Sequence, residues 1–397
     1  MTPVASVPHE FQVIRDRMSG LHESSGLNIL IYWPHGFGDF VFLGHVLPLL
    51  DRGNRYFICR IGDDNSSVFE GATGVTPLYV GCNSVHGLAE TQFEQAHLGL
   101  RPPEADGKKT LHLPPSLAAK RQKHRIHHLL DPHFPEIYGH AGFPFHTKAR
   151  HLLRSLLPAS ERPGALLSRP LVNAIHFDLP ESVTRWVEAR LHSYAGWRGK
   201  RLCIIGRNGY TSTGKNWGHR WREELPLGPR VEGQECREFM RLMLAQHPNW
   251  LFLTCEDRLA RGHNSIRDPA VNCVSYAELF GSREQAALPY GWVMRVLMNL
   301  AELVVGVPSG PYHLAMVKQN LPVVGIWIEH FPSWYDEPKT ESLHLISRNF
   351  AESGADHRPG TFSDAGELIY RTKRLETRII SGQEVFEASA TLLGLSA

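Results

Sequence analysis

The sequence predicts an α/β protein with two domains, each built on a doubly wound parallel sheet. Short apolar runs that suit buried strands alternate with helical segments over most of the chain. The chain has 397 residues, of which 42% are hydrophobic, so two domains with a core each are expected. Loops rich in Gly, Ser and Pro follow several strands, and ligands bind at such places in open α/β sheets.

The chain is expected to divide into four segments. Its first residues are polar and mixed, which is typical of a leader helix or loose arm. Pro and Gly residues interrupt any regular pattern between Ala159 and Pro180, so a linker is expected there. The predicted segments are an arm (1–26), an N-terminal α/β domain (27–180), a C-terminal α/β domain (181–365) and a C-terminal helix (366–397).

Charge and cysteine content exclude several classes of protein. Lys and Arg number 42 and Asp and Glu number 40, a balance that does not support a nucleic-acid-binding protein. The 6 Cys residues are scattered without CxxC spacing, as expected for buried thiols in a reducing cytosol. No apolar run reaches membrane-spanning length and no signal-peptide core is visible. A cytoplasmic location is therefore expected.

A glycine-containing turn follows the first predicted strand, Asn28 to Trp33. Gly36 and Gly38 allow close backbone approach, and Asp39 lies at the start of the next helix, where the helix dipole favours a carboxylate. The ordinary role of Asp at this place is an N-terminal cap. The functional alternative is a general base that faces a cleft.

The segment 120–154 is basic and rich in His, with Asp131 and Glu136 as its acidic residues. One interpretation is a solvated basic face. The other is a docking surface for an anionic acceptor or for headgroups at the inner membrane surface. Its histidines lack the Cys or carboxylate partners of a typical metal site, so none is predicted.

A loop rich in Gly, Thr and Ser, Gly206 to Trp217, follows the first strand of the C-terminal domain. Thr211 and Ser212 supply hydroxyl groups and Lys215 a compact positive charge, a combination that suits a diphosphate. The loop does not match a Walker loop, because Asn216 stands where Ser or Thr would bind magnesium. The structural alternative is a plain surface loop.

The stretch Leu303 to Trp327, LVVGVPSGPYHLAMVKQNLPVVGIW, predicts a strand, a tight loop, a short helix and a second strand. Ser309 suits the N-cap and Pro311 the first helical turn, while Gly310 allows a ligand close to the backbone. The amide groups at this helix start suit a phosphate. An ordinary βαβ crossover is the alternative.

The order SGPYHLA, Pro and VVGIW resembles the signature of the heptosyltransferase-like family of bacterial glycosyltransferases. The Gly-Asp pair of the first loop resembles the same family, and so do the hydroxyl residues, Lys and Trp of the second. The resemblance covers residues 28 to 345 and implies a GT-B-like fold, in which two Rossmann-like domains face a cleft.

The resemblance also implies roles. Asp39, in the cleft loop with Gly36 and Gly38, is implied as the base that activates an acceptor hydroxyl, without a metal or cofactor. The N-terminal domain then holds the acceptor, the C-terminal domain holds the nucleotide diphosphate sugar, and the C-terminal helix crosses back onto the first domain. The implied donor-binding residues are Thr211, Ser212, Lys215, Ser309, Gly310, Pro311 and His313.

Two departures from the family pattern stand out. Pro48 lies further after Asp39 than is usual, which leaves the helix register open. In heptosyltransferases an Asp that holds sugar hydroxyls precedes the Ser/Thr-Gly pair, whereas this chain has Pro308, which has no acceptor side chain and no N–H. ADP-heptose is therefore not expected as the preferred donor, unless Glu329 or Asp336 supplies the contact.

Two alternatives to a glycosyltransferase stay open. One is a nucleotide-sugar-binding module without catalysis, and the other is a sugar-nucleotide epimerase of the same fold. The acceptor of a transferase would be a glycan, a lipid-linked glycan, a protein or a small molecule, and the sequence does not choose among them.

Overall fold

The structure is a computed structural model. Thr211, Ser212, Lys215, Glu329, Asp336, the arm and most of 120–154 lie outside the residues that it describes. The described residues are 28–32, 36–49, 52–53, 55–59, 64–78, 124–128, 173–194, 197, 199–207, 217, 233–255, 272–281, 287–328, 341–347, 372–375 and 379–395.

The elements alternate between strand and helix, as the sequence predicts. The helices are α1 (Phe37–Val46), α2 (Glu181–Ser193), α3 (Gln234–Gln246), α4 (Tyr276–Phe280), α5 (Tyr290–Leu300), α6 (Gly310–Val317) and α7 (Gly382–Leu393). The strands are β1 (Asn28–Tyr32), β2 (Arg55–Cys59), β3 (Val75–Leu78), β4 (His124–His128), β5 (Arg201–Gly206), β6 (Trp250–Thr254), β7 (Cys273–Ser275), β8 (Ala301–Gly306), β9 (Val323–Trp327), β10 (Ser342–Ile346) and β11 (Thr372–Arg374). Leu47–Leu49 and Asn65–Phe69 form 3₁₀ helices.

The described chain falls into two compact units, each with its own sheet. Unit 1 contains the described residues of 28–128, 173–188 and 287–296, and unit 2 contains those of 189–281 and 297–395. This division differs from the two contiguous domains predicted, because the first part of α2 (181–188) and the start of α5 (290–296) both belong to unit 1.

Contacts at the start of α5 explain this assignment. The N–H groups of Tyr290 and Gly291 donate to Asp64 Oδ2 at 2.6 Å and to Ser67 Oγ at 3.0 Å. The fully buried Arg295 donates to the carbonyl oxygens of Glu70 and Asp178. The first two amides of this helix are therefore satisfied by side chains that lie far away in the sequence.

The sheet of unit 1 has the order β3-β2-β1-β4 among the described strands, and its pairs are parallel. Helix α1 follows β1 and buries Phe40 and Leu43. Strand β4 lies within the basic segment 120–154, for which the sequence predicts a solvated basic face or a docking surface. Those residues pair with β1, so this part of the segment belongs to the sheet.

The sheet of unit 2 has the order β11-β10-β9-β8-β5-β6-β7 among the described strands, and all its pairs are parallel. Its central strands are continuous apolar runs, as expected for strands covered on both faces. Helix α3 buries residues at helical spacing against this sheet, namely Cys236, Phe239, Met240 and Met243.

The C-terminal segment differs from the single helix predicted over 366–397. Thr372–Arg374 is strand β11 and pairs with β10, so the prediction is wrong there. Helix α7 starts only after Ser381, whose Oγ accepts from the Glu384 N–H while Glu384 Oε2 accepts from the Ser381 N–H, a capping box. Helix α7 packs on α3 in unit 2, and a crossing onto the first domain stays a prediction.

Candidate functional site

The carboxylate of Asp39 lies in the first turn of α1, as the sequence predicts. Asp39 Oδ2 accepts the Gly36 N–H at 3.1 Å, and the Asp39 N–H donates to Gly36 O at 3.0 Å. The two bonds close the turn, so the capping role expected of this residue is present. Asp39 and Gly38 are half-buried and Gly36 is exposed, which leaves this turn accessible to solvent.

Helix α1 packs against other parts of unit 1. The ring of Phe37 makes an edge-to-face contact with the ring of Tyr290, and the two ring centroids are 5.0 Å apart. Asn173 lies directly on the helix at Gly44, where any Cβ would collide with its side-chain amide. Its Nδ2 donates to Val41 O at 2.9 Å. Asp39 therefore lies on a helix, α1, whose position is fixed by its packing in unit 1.

Unit 2 has a topological switch point between β5 and β8. From β5 the chain continues to β6 and β7 on one side, whereas β8 is followed by β9, β10 and β11 on the other. Gly206 and Gly306 end these strands as register partners, and Val307 N–H donates to Gly206 O at 2.9 Å. Open α/β sheets bind ligands beyond the carboxyl ends of the strands at such a point.

Ser309 lies at this switch point as the N-cap of α6. Its Oγ makes no capping hydrogen bond, is buried and has no hydrogen-bond partner in the described structure. A Cβ built on Gly206 would lie 3.1 Å from that oxygen, so the hydroxyl stands directly over the end of β5. A buried polar group without a partner is uncommon in folded proteins and calls for an explanation.

Helix α6 starts at the positions that the sequence predicts. Gly310 is its first residue and Pro311 lies in the first turn, where the missing N–H has no consequence. The N–H of the buried His313 donates to Ser309 O at 2.9 Å. The structure thus brings Ser309, Gly310, Pro311 and His313 together at the amino end of α6, the positive end of its dipole.

The loop predicted to bind a diphosphate, Gly206 to Trp217, starts and ends near the switch point. Thr211, Ser212 and Lys215 lie outside the described residues, but Arg207 and Trp217 flank them. The Trp217 N–H donates to Arg207 O at 2.9 Å, and its indole N–H donates to Ile380 O at 2.8 Å. Both ends of the loop therefore lie at the carboxyl end of β5.

Among the described residues, no group of three or more His, Cys, Asp or Glu side chains could hold a metal ion. A mechanism without a metal stays a prediction.

Within the parts of the chain that the structure covers, no helix is long and apolar enough to cross a membrane.

Two parallel-sheet units, one with a described switch point, place the chain in the class of doubly wound α/β proteins. The structure resembles the ADP-heptose LPS heptosyltransferase II of E. coli, with a TM-score of 0.51 and 12% identity over 92% of this chain and 98% of that chain. It also resembles a family 9 glycosyl transferase from Veillonella parvula, with a TM-score of 0.49 and 15% identity over 92% of this chain and 97% of the other.

The likeness to the E. coli protein, at 12% identity, shows the fold and no more. The α/β class predicted from the sequence, of GT-B type, is therefore confirmed. No protein-family model matches the chain, and no curated protein sequence matches it.

Proposed function

We propose that this protein is a glycosyltransferase that moves a sugar from a nucleotide diphosphate sugar to an acceptor hydroxyl. The switch point of unit 2 is the observation that supports the proposal most. There, a buried Ser309 hydroxyl without a partner stands beside two glycine strand ends and the amino end of α6. Each of these features suits a bound diphosphate.

The proposed reaction replaces one bond at the sugar with another. The bond between the anomeric carbon and the diphosphate oxygen breaks, and a bond from that carbon to the acceptor oxygen forms. Asp39 takes the acceptor proton as general base. The departing diphosphate keeps the bonding electrons, and the Lys215 ammonium, the Thr211 and Ser212 hydroxyls and the dipole of α6 stabilise its charge.

Binding of nucleotide diphosphate sugars is the first test. The melting temperature of the protein is measured with ADP, UDP and GDP sugars, since a ligand that binds only the folded state raises it. We expect one nucleotide series to stabilise the protein. If none of them did so at millimolar concentration, the proposal would be wrong.

Product analysis with the stabilising donor separates the three functions that the sequence left open. Transfer of the sugar to an added acceptor supports the proposal. An epimerised donor identifies a sugar-nucleotide epimerase instead, and an unchanged donor identifies a binding module. The acceptors to include are a glycan, a lipid-linked glycan and a protein.

The donor sugar is proposed to differ from heptose. Pro308 is buried at the end of the loop after β8 and offers neither a carboxylate nor an N–H to sugar hydroxyls. A site that lacks a hydroxyl contact cannot reward the sugar that needs it. In direct competition between ADP-heptose and hexose or deoxyhexose donors, a hexose or deoxyhexose is expected to react faster. Clear preference for ADP-heptose would contradict this.

A cytoplasmic location and contact with the inner membrane surface through 120–154 stay predictions. Flotation with vesicles of anionic and of neutral lipid tests the contact. If 120–154 is a docking surface for membrane headgroups, the protein should bind the anionic vesicles, and this binding should weaken as salt is added. A solvated face predicts no binding to either.

A further inference from the structure

Four polar side chains meet inside unit 2, in a place that the proposed reaction does not use. Tyr312 comes from the first turn of α6, Trp327 ends β9, and Ser342 and His344 lie on β10. All four are at most 1% exposed to solvent. We call these residues the His344 cluster.

The ring nitrogens of His344 connect the cluster. Trp327 Nε1 donates to His344 Nδ1 at 2.9 Å, and Tyr312 Oη lies 3.1 Å from the same nitrogen. Because an indole N–H can only donate, Nδ1 must be the unprotonated nitrogen of His344. The proton is then on Nε2, which donates to Ser342 Oγ at 3.2 Å. The Tyr312 hydroxyl can only donate to Nδ1, and it shares the single lone pair of that nitrogen with Trp327.

His344 stays in this single form over the ordinary pH range. Burial lowers the pKa of its imidazole from 6.5 to about 3. A neutral imidazole whose Nδ1 only accepts gives Tyr312 a fixed partner. The position of the tyrosine ring is therefore set by the sheet and not by α6 alone.

Gly325 provides the space for the cluster. It is the register partner of His344 on β9. A Cβ at this position would lie 2.5 Å from His344 Nδ1, 2.7 Å from Trp327 Nε1 and 3.0 Å from Tyr312 Oη. Only glycine leaves room for these hydrogen bonds.

Helix α6 depends on such support because it is short. It has 8 residues, and isolated helices of that length are unstable in water, so tertiary contacts must hold it. Tyr312 stands three residues after Ser309, whose hydroxyl lies over Gly206 at the switch point. A rotation of α6 about its axis would move Ser309 and the first amides of the helix together.

We infer that His344 is a positioning residue for the diphosphate site. Through the Tyr312 hydroxyl it fixes the rotation of α6, and thereby places Ser309 Oγ and the amino end of α6 toward the ligand. The inference rests on the proposed function, because the diphosphate is the ligand that these groups would bind. His344 itself touches no substrate in this assignment.

Tyr312→Phe tests the link with the smallest change. It removes the hydroxyl and keeps the ring, so α6 loses its hydrogen bond to His344 but not its packing. Ser389→Ala is the matched control, because it also removes one buried hydroxyl, which donates to Val385 O at 2.8 Å within α7. Calorimetry measures the affinity for the nucleoside diphosphate that binds the unsubstituted protein, well below the melting temperature of each variant.

Tyr312→Phe is expected to weaken diphosphate binding by up to about 10-fold, because the free energy of the lost hydrogen bond limits what can be coupled to binding. Ser389→Ala should leave binding unchanged although its melting temperature falls by a similar amount. Equal affinities for the two variants would overturn the inference.

A pair of substitutions at His344 separates positioning from simple packing. His344→Asn keeps an oxygen close to the place of Nδ1, whereas His344→Leu fills more of the space but accepts no hydrogen bond. We expect His344→Leu to bind the diphosphate more weakly than His344→Asn. The opposite order, which follows lost volume, would contradict a role through the Tyr312 hydroxyl.

The two proposals fail in different ways. If the unsubstituted protein bound no nucleoside diphosphate, the proposed function and this inference would both be wrong. If it bound one and Tyr312→Phe bound it equally well, only the role of the His344 cluster would be wrong.

Discussion

Asp39 in unit 1 and Ser309 in unit 2 occupy similar places, at a helix start that follows a parallel strand. Their polar groups differ in what the fold does with them. Asp39 Oδ2 accepts the amide of Gly36 and closes its own turn, whereas Ser309 Oγ has no hydrogen-bond partner in the described structure. A polar group that the fold already uses is weaker support for a ligand than one that the fold leaves unused.

Substitution of Asp39 is expected to have the largest effect. Asp39→Asn keeps an oxygen that can accept the Gly36 amide, so the helix cap and the melting temperature should change little. Turnover should fall roughly 10²- to 10⁴-fold, since an amide cannot take the acceptor proton. The measurement is the rate of sugar transfer, with nucleotide affinity as the control for a folded donor site. Near-normal turnover would leave Asp39 with its capping role alone.

Lys215→Ala is expected to weaken binding of the nucleoside diphosphate by about 1 to 3 kcal/mol, because it removes one charge-assisted hydrogen bond. Lys200→Ala is the control. It removes the same charge at the amino end of β5, whereas the loop with Lys215 begins at the carboxyl end. Unchanged diphosphate affinity for Lys215→Ala in calorimetry would show that the loop is only structural.

The His344 imidazole is a polar group that the fold uses fully, and its protonation state is linked to the stability of the protein. Burial lowers the pKa of His344 from 6.5 to about 3, so below pH 6.5 only the unfolded chain binds this proton. The stabilisation that the neutral His344 gives the folded state is complete above pH 6.5 and is lost as the pH falls toward 3. Between pH 6.5 and 5 the loss is about 2 kcal/mol of unfolding free energy.

Urea unfolding at these two pH values, for the unsubstituted protein and for His344→Asn, isolates this contribution from that of the other histidines. The unsubstituted protein is expected to lose more stability than the variant over this pH interval. Identical losses would mean that His344 does not stay neutral in the folded state.

Ser309→Ala is expected to have the smallest effect on stability and on diphosphate affinity. It tests directly whether the fold leaves the Ser309 hydroxyl unused. An N-cap Ser usually contributes about 1 kcal/mol to stability, but Ser309 makes no capping bond, so its loss should cost almost nothing. Diphosphate binding should weaken by about 0.5 to 1.5 kcal/mol.

Ser381→Ala is the counterpart, because Ser381 does cap α7 through Glu384. That variant should lose stability and keep its affinity for the diphosphate. The comparison would fail if Ser309→Ala lost as much stability as Ser381→Ala and bound the diphosphate normally.

Elements with strong local patterns could be predicted from the sequence. The apolar run Trp250 to Thr254 predicts a strand and forms β6, and the loop between β8 and α6 has the predicted N-cap Ser309. These features depend on neighbouring residues. The residue types that mark the switch point can therefore be recognised in the sequence alone.

Features made by distant residues could not be predicted. Asp64 caps Tyr290 from 226 residues away, and no local pattern marks either residue for that contact. The His344 cluster joins α6 to two strands in the same manner. The histidine-rich β4 and the three-residue β11 lack the apolar alternation of a strand, and both are held by pairing with a neighbouring strand.

The anchored Trp217 has a consequence for Lys215, which precedes it by only two residues. Two Cα–Cα steps span at most about 7.6 Å, so covalent geometry keeps the Cα atom of Lys215 within that distance of the Cα atom of Trp217. If Lys215 binds the diphosphate as proposed, ammonium or methylamine would replace it in Lys215→Ala only at the effective concentration of a tethered group, on the order of millimolar or more. The hydrogen bond from the Trp217 indole to Ile380 O fixes the end of the loop from which Lys215 is only two residues away.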